Sequence, residues 1–135
     1  MNIRAAVPAD FQGVLDLWRV AEAEPTHTDD LNSLDRLLTF NPSALLVAQT
    51  GDDLVGSVIA GWDGWRGSIY RLAVAPDYRR RGIGRDLIDA AVARLREAGA
   101  RRLQAIVVEG DAQATGFWGA GGWERQADRA RFVNG

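Results

Sequence analysis

The stretch 68-SIYRLAVAPDYRRRGIGR-85 decides the fold of this chain. Residues Ser68 to Val74 are rich in β-branched and aromatic side chains, which predicts a strand. Pro76 predicts the end of that strand, because proline cannot donate a hydrogen bond to a neighbouring strand. From Gly84 onward apolar side chains recur at every third or fourth position, and this spacing predicts an amphipathic helix that ends before Gly99. The predicted order is strand, arginine- and glycine-rich turn, helix.

The glycines of this turn stand where the helix begins. The first amide N–H groups of a helix have no partner within it, and the helix dipole is positive there. Glycine also lets an anion approach the backbone closely. The turn carries positive charge that does not titrate, on Arg79, Arg80, Arg81 and Arg85. This pattern indicates a turn that binds a phosphate-bearing ligand.

The residues alone leave two other interpretations of the turn open. Two glycines at a helix start can form a tight turn without a ligand, and an arginine run can be a solvated face or bind nucleic acid. The turn is not a P-loop, since no Lys-Ser or Lys-Thr follows. Its glycine spacing also differs from that of the dinucleotide-binding fingerprint.

Composition narrows the functional classes. With 135 residues, 47% of them hydrophobic, we expect one globular domain over 1–135. The formal net charge of −2 gives no support to a general nucleic-acid or membrane-surface role. The absence of cysteine and the single histidine exclude a thiol nucleophile and a multi-histidine site, so no metal is expected. No run is apolar enough for a leader or a membrane span, so we expect a cytoplasmic protein.

The rest of the chain predicts a mixed α/β domain around one central sheet. Three strands form an antiparallel meander: 44–49, 54–61 and 67–74. A turn at 50–53 and one of type I′ character at Asp63-Gly64 join them, with Trp62 and Trp65 paired across the second turn. A strand over 101–108 follows the central helix and lies parallel to 67–74, since a strand–helix–strand crossover makes its strands parallel. The flanking elements are a strand from Asn2 to Val7, a helix opened by Pro8, helices over 31–38 and 110–119, and a terminal strand from Trp123 to Arg125 paired with Arg131 to Val133.

The segment 22–30 is irregular and acidic. Asp29 or Asp30 is the expected N-cap of the helix that follows. The carboxylates of this segment could attract an amine, or they could be caps and solvated loop residues. Trp18 on the preceding helix is expected in the core, and His27 at the surface.

The segment 72-LAVAPDYRRRGIG-84 resembles motif A of the GNAT (GCN5-related N-acetyltransferase) family. Residues 111–123, with 117-FWGAGGW-123, are similar to the family's later Asn…Phe-Tyr-x-x-x-Gly-Phe segment, and 61-GWDGWRG-67 resembles a hairpin found in a branch of small bacterial members. The resemblance covers nearly the whole chain. It implies the GNAT fold and an acetyl-CoA-dependent N-acetyltransferase that acts on a primary amine of a small molecule or protein, by direct attack in a ternary complex.

The resemblance also implies how the cofactor binds. The amides of Arg80 to Arg85 hold the pyrophosphate, with arginine side chains near the phosphates. The backbone of Leu72 to Val74 bonds the pantetheine arm, and the Leu72 amide N–H stabilises the oxyanion formed at the thioester carbonyl. The implied cofactor contacts are Leu72, Ala73, Val74, Arg79, Arg80, Arg81, Gly82, Ile83, Gly84, Arg85, Asp111 and Phe117.

The sequence departs from the family at the residues that transfer protons. Ser68 and Ile106 occupy the positions of the family's glutamate bases, and neither is a strong base. Trp118 occupies the position of the tyrosine general acid, and an indole N–H cannot give up a proton at neutral pH. Tyr70 is the best remaining candidate acid, with packing on the sheet as its alternative role. The weaker candidates for the base are Asp63, Glu109 and Asp111.

Three hypotheses therefore stand. The first is the N-acetyltransferase, and the second is a non-catalytic acyl-CoA-binding or regulatory module, which the departures favour. The third is a nucleic-acid-binding protein that uses the arginines of the turn, against which the acidic charge balance argues. The sequence leaves the acceptor and the oligomeric state open, with a homodimer as one alternative.

Overall fold

The computed structural model describes residues 1–21, 26–106 and 112–135. The chain divides into two compact units, Met1–Ala105 and Ile106–Gly135. The first unit contains a five-stranded sheet in the order β1-β2-β3-β4-β5. Its strands are β1 (Asn2–Ala5), β2 (Leu45–Thr50), β3 (Asp53–Trp62), β4 (Gly67–Val74) and β5 (Leu103–Ala105), and its helices are α1 (Phe11–Val20), α2 (Leu31–Phe40) and α3 (Ile83–Ala98).

The sheet has the predicted mixed topology. Strands β1 to β4 pair antiparallel in sequence order, and β4 pairs parallel with β5. Helix α3 connects the two parallel strands, as a crossover requires. The predicted meander, parallel pair and flanking helices are therefore confirmed. The strand predicted over 101–108 is shorter within the described residues, since β5 spans Leu103–Ala105 and residues 107–108 lie outside them.

The two faces of the sheet are covered by different helices. Helix α1 buries Phe11, Val14, Leu17 and Trp18, and these residues form one core with Leu45, Val47 and Ala73 of the sheet. The opposite face packs on α3, where a Cβ built at Gly56 would lie 2.8 Å from Leu87 Cδ1. A larger side chain at position 56 would therefore push α3 away from β3.

The helices begin or end at residues that local sequence signals predicted. Asp30 is the N-cap of α2 and accepts a hydrogen bond from Ser33 N at 2.7 Å. Gly99 closes α3 with a φ of +116°. Helix α1 is preceded by a short 3₁₀ turn, Pro8–Asp10, at the predicted start. Trp18 is buried and His27 exposed, as predicted.

The hairpin between β3 and β4 differs from the prediction. A type I′ turn needs a positive φ at both central residues. Only Gly64 has one here, at +90°. Asp63 Oδ1 instead accepts hydrogen bonds from the amides of Trp65 and Arg66, both at 2.8 Å, and fixes the loop. Trp65 is 71% exposed, and the Arg66 guanidinium lies over its ring.

The second unit is organised by helix α4 (Ala112–Ala120). Its end is a Schellman motif: Trp123 N bonds Trp118 O at 3.2 Å, and Gly122 N, at a φ of +87°, bonds Gly119 O at 3.1 Å. The Trp118 and Trp123 rings meet edge to face at 4.9 Å, which is the apolar contact typical of this cap. The glycine-rich end of the helix is thus explained by the cap it forms.

The predicted terminal strand is wrong. Residues 123–135 contain no strand, and a turn in which Arg129 N bonds Gln126 O at 3.4 Å lies where the hairpin was expected. Phe132 is 93% exposed and Val133 67% exposed. Two runs of three residues cannot sustain a hairpin without a third strand or an apolar surface, which explains the difference.

Candidate functional site

The turn before α3 places backbone amides around an open space. Arg80 and Gly82 both have left-handed backbone, with φ of +64° and +82°. Gly82 is the N-cap of α3, and the first intrahelical bond there is from Asp86 N to Gly82 O at 3.0 Å. The amides of Ile83 and Gly84 precede that bond, so the helix offers them no acceptor. We call this turn, residues 79–84, the amide cradle.

The mouth of the amide cradle is free of side-chain obstruction at its central glycine. Among the described residues, a Cβ built at Gly82 would have no heavy atom within 4 Å, and no side chain caps this end of α3. The open space at Gly82 therefore lies beside the positive end of the helix dipole and the first amides of α3, an arrangement that favours phosphate or carboxylate groups.

The arginines of the cradle have different neighbours. Arg79 donates to two main-chain carbonyls, Val74 O at 3.3 Å and Ala21 O at 3.1 Å, and so joins the ends of β4 and α1. The Arg81 guanidinium lies 5.0 Å from the Tyr78 ring centre. Arg80 is exposed. A role in phosphate binding stays a prediction for all three, and Arg79 has in addition a structural role that the sequence did not indicate.

Strand β4 carries a bulge immediately before the cradle. The pairing with β3 passes from Ile59–Tyr70 to Ser57–Ala73, so Arg71 and Leu72 stand together opposite Val58. Arg71 has a φ of +51°, which is strained for a residue with a Cβ. A bulge leaves its extra residue unpaired and locally disrupts the hydrogen-bond ladder. Here the bulge contains the peptide group that joins Arg71 to Leu72.

Side chains from three other segments pin the bulge. Trp18 Nε1 donates to Ser57 Oγ at 2.8 Å, and Ser57 Oγ donates to Arg71 O at 3.4 Å. The Arg71 guanidinium bonds both oxygens of Asp29, at 2.7 and 2.8 Å, and Thr26 Oγ1 at 3.1 Å. It also lies 5.1 Å from the Trp18 ring centre. The strained residue is thus held through both its carbonyl and its side chain.

These contacts also settle what two carboxylates of the acidic segment do. Asp29 pairs with Arg71, each side chain being 18% exposed. Asp30 caps α2, and the hydrogen bond from the Ser33 amide lowers the pKa of its carboxyl. Glu22 and Glu24 lie outside the described residues. Asp30 is therefore the expected cap, whereas the ion pair of Asp29 with Arg71 is neither a cap nor a solvated loop contact.

The candidate proton-transfer residues of the first unit are placed as follows. Tyr70 is 45% exposed, and its Cε2 lies 3.0 Å from the position of a Cβ at Gly61, so its ring packs across that glycine. Ser68 Oγ accepts a hydrogen bond from Gln104 Nε2 at 3.2 Å. Asp63 is a poor base, since hydrogen bonds from the amides of Arg66 and then Trp65 lower the pKa of its carboxyl.

The remaining candidates belong to the second unit. Ile106 is 53% exposed. Glu109 and Asp111 lie outside the described residues. Phe117 and Trp118 meet edge to face at 5.8 Å, and the Trp118 ring lies between Phe117 and Trp123. The indole therefore has a packing role within its own unit.

A groove of about 420 Å³ lies apart from the amide cradle. Its lining includes Trp62, Arg94 and Ala98, which belong to the end of β3 and the last turns of α3. The cradle is at the opposite end of that helix, so the groove is not part of the candidate site. Across the described ranges, no helix is both long and apolar enough to cross a membrane.

Sequence reasoning missed the residues that hold the bulge. Arg71 lies within a predicted strand, and no local sequence signal indicates its left-handed backbone. Ser57 carried a weak signal, because it is a polar residue inside the apolar run from Val55 to Ile59. Its contacts come from residues far away in sequence, which only the fold brings together.

Comparison with known proteins gives a consistent result. A model of the acetyltransferase (GNAT) family matches residues 11–122. An acetyltransferase of Pectobacterium atrosepticum is 35% identical over 118 residues, which are 87% of this chain and 84% of that protein. Ard1 of Thermoplasma volcanium matches with a TM-score of 0.83 at 22% identity, over 93% of this chain and 84% of that one. AAC(6')-Iy in complex with the bisubstrate analog CoA-S-monomethyl-acetylneamine matches with a TM-score of 0.79 at 18% identity, over 99% and 97% of the two chains.

Proposed function

Since the chain belongs to the acetyltransferase (GNAT) family, we propose that it transfers the acetyl group of acetyl-CoA to a primary amine of a small molecule or protein. The amine attacks the thioester directly while both substrates are bound. The observation that carries the proposal is the amide cradle with Gly82, directly after a strand whose bulge contains the Arg71–Leu72 peptide group. The amide cradle suits a diphosphate, and the bulge suits a thioester carbonyl. Eight residues separate the end of β4 from the start of α3.

Donor binding in this proposal uses the main chain. The amides of Ile83 and Gly84 donate to the diphosphate of CoA, where the helix dipole and nearby guanidinium groups favour negative charge. The backbone of Leu72 to Val74 bonds the pantetheine arm as an added strand does. The bisubstrate analog bound by AAC(6')-Iy contains CoA, and the shared fold supports CoA use here.

The chemical step needs stabilisation of one charge and the transfer of two protons. The amine nitrogen attacks the carbonyl carbon, and the Leu72 N–H stabilises the oxyanion. Collapse of the intermediate breaks the carbon–sulfur bond and releases the thiolate, while water takes the proton of the amine. Tyr70 is the proposed proton donor to the thiolate. One oxyanion donor contributes about 3 kcal/mol in comparable acyl transfers, and positioning alone about 7–11 kcal/mol.

A thiol-release screen tests this function. Purified protein, acetyl-CoA and a thiol reagent are combined with amino acids, polyamines, aminoglycosides and peptides, and release is compared with that from acetyl-CoA without an amine. We expect release that depends on one class of amine and a product heavier by one acetyl group. Replacing both Gly82 and Gly84 by leucine should abolish it while CD spectra show the fold retained.

A second candidate function is a non-catalytic acyl-CoA-binding module. The residues at the proton-transfer positions favour it, since the Ser68 hydroxyl is hydrogen-bonded to Gln104 and the Trp118 ring packs on Trp123. Micromolar CoA binding without release from any amine would support this candidate and contradict the first. We further propose one catalytic domain over 1–135, a cytoplasmic location and no nucleic-acid partner, with a homodimer open to sizing experiments.

A further inference from the structure

We propose that Ser57, held by Trp18, is a positioning residue that orients the Arg71–Leu72 peptide group for catalysis. The inference rests on the proposed function, in which the N–H of that peptide is the oxyanion donor. It concerns the opposite side of the same peptide group, the Arg71 carbonyl, which accepts a hydrogen bond from Ser57 Oγ at 3.4 Å.

The direction of this hydrogen-bond chain follows from chemistry. An indole N–H can only donate, so Ser57 Oγ must accept from Trp18 Nε1 at 2.8 Å. That contact occupies one lone pair of the hydroxyl and leaves its proton to be donated elsewhere. Ser57 Oγ donates that proton to Arg71 O. Trp18 is 4% exposed and Ser57 fully buried, so water does not compete for either group.

The consequence for the N–H follows from peptide geometry. No cis peptide occurs among the described residues. In a trans peptide the C=O and N–H vectors are roughly antiparallel within one plane. Fixing the Arg71 carbonyl toward Ser57 therefore directs the Leu72 N–H away from Ser57, out of the core formed by α1. The hydrogen bond at the carbonyl also polarises the peptide and strengthens its N–H as a donor.

The peptide needs this support because its backbone is strained. Arg71 adopts a φ of +51° in a bulge that could relax by rotating the peptide group. The ion pair with Asp29 restrains the Arg71 side chain, yet a side-chain contact does not fix the plane of the following peptide. Ser57 Oγ, by contrast, forms a hydrogen bond with the peptide group itself.

Nuclear magnetic resonance can observe this peptide directly. Arg-Leu pairs occur at 36–37, 71–72, 94–95 and 102–103. Protein labelled with ¹³C′-arginine and ¹⁵N-leucine therefore gives four peaks in an HNCO spectrum, and three of them are internal controls. We expect Ser57→Ala to shift the 71–72 peak upfield in the carbonyl dimension and leave the other three in place, and Ser57→Thr to restore it. A 71–72 peak that does not move in Ser57→Ala overturns the proposal.

Kinetics separate positioning from packing. In thiol release, Ser57→Ala should lower kcat about tenfold, a fraction of the loss that removal of an oxyanion donor causes, with KM for acetyl-CoA and affinity for CoA within about twofold of wild type. Leu45→Ala, which removes volume from the same core at a position opposite Ile59 and not opposite Ser57, should leave kcat unchanged. An equal fall of kcat in both variants, or none in Ser57→Ala, overturns the proposal. If wild type releases no thiol with any amine, the proposed function fails, and the 71–72 peak still decides whether Ser57 orients the peptide.

Discussion

Replacing Gly82 by alanine separates the backbone strain of the amide cradle from its ligand chemistry. Gly82 has a φ of +82°, and a Cβ built there meets no heavy atom of the described part of the chain within 4 Å. The folded protein therefore gains no steric overlap. The cost is that of left-handed backbone at a residue with a Cβ, about 1–2 kcal/mol. Against a total stability of roughly 5–15 kcal/mol, the variant stays folded.

We expect Gly82→Ala to lower the affinity for CoA by more than its effect on stability suggests. Any relaxation of this strain rotates amides of the cradle and so removes a hydrogen bond to the diphosphate. Loss of one hydrogen bond to a charged group costs about 1.5–3 kcal/mol, or roughly 10- to 150-fold in affinity. Isothermal titration with CoA and urea unfolding measure the two effects on the same sample.

Gly64→Ala is the matched control. Gly64 has a φ of +90° and also has no neighbour within 4 Å, but it lies in the β3–β4 hairpin. Its alanine variant should lose a similar 1–2 kcal/mol of stability and keep wild-type affinity for CoA. The reasoning is refuted if Gly82→Ala binds CoA as wild type does, or if both variants lose affinity equally.

Three further predictions concern the scaffold of the site. Asp30→Ala removes the N-cap bond to Ser33 N and should cost about 1 kcal/mol in urea unfolding; an unchanged midpoint would contradict the cap. Asp10 binds Arg4 through two hydrogen bonds of 2.7 and 2.9 Å, which lower the pKa of its carboxyl, so its contribution to stability is complete above the unfolded pKa of about 3.9 and is lost as the pH falls through the folded pKa. Asp10→Asn should therefore cost about 1–2 kcal/mol at pH 6 and progressively less below pH 4, whereas a difference that does not depend on pH would contradict the argument. Gly56→Val should lower thermal stability by about 1–3 kcal/mol because its side chain overlaps Leu87 and Ile83, and combining it with Leu87→Ala should recover part of that loss; a neutral Gly56→Val would show that α3 does not pack on β3 as described.

Those features of the fold that depend on local chemistry could be predicted from the sequence. Asp30, Gly82 and Gly99 act within a few residues of their position in the chain, so composition and spacing reveal them. The mixed topology followed from one crossover rule applied to the strand–helix–strand order.

Features that depend on partners far away in sequence could not be predicted. The bulge at Arg71 is stabilised by Ser57, Asp29 and, through Ser57, Trp18, which lie 14 to 53 positions earlier in the chain. The terminal strand was wrong for the converse reason. Trp123 to Arg125 has suitable residues for a strand, yet strand formation needs a paired surface, and Trp123 instead packs on Trp118 to cap α4.

A crystal structure with CoA bound would show whether the amide cradle holds the diphosphate. We expect diphosphate oxygens within about 3.2 Å of the Ile83 and Gly84 amide nitrogens, and the pantetheine arm alongside Leu72 to Val74. A diphosphate bound elsewhere, or a cradle filled by the protein's own side chains, would contradict it.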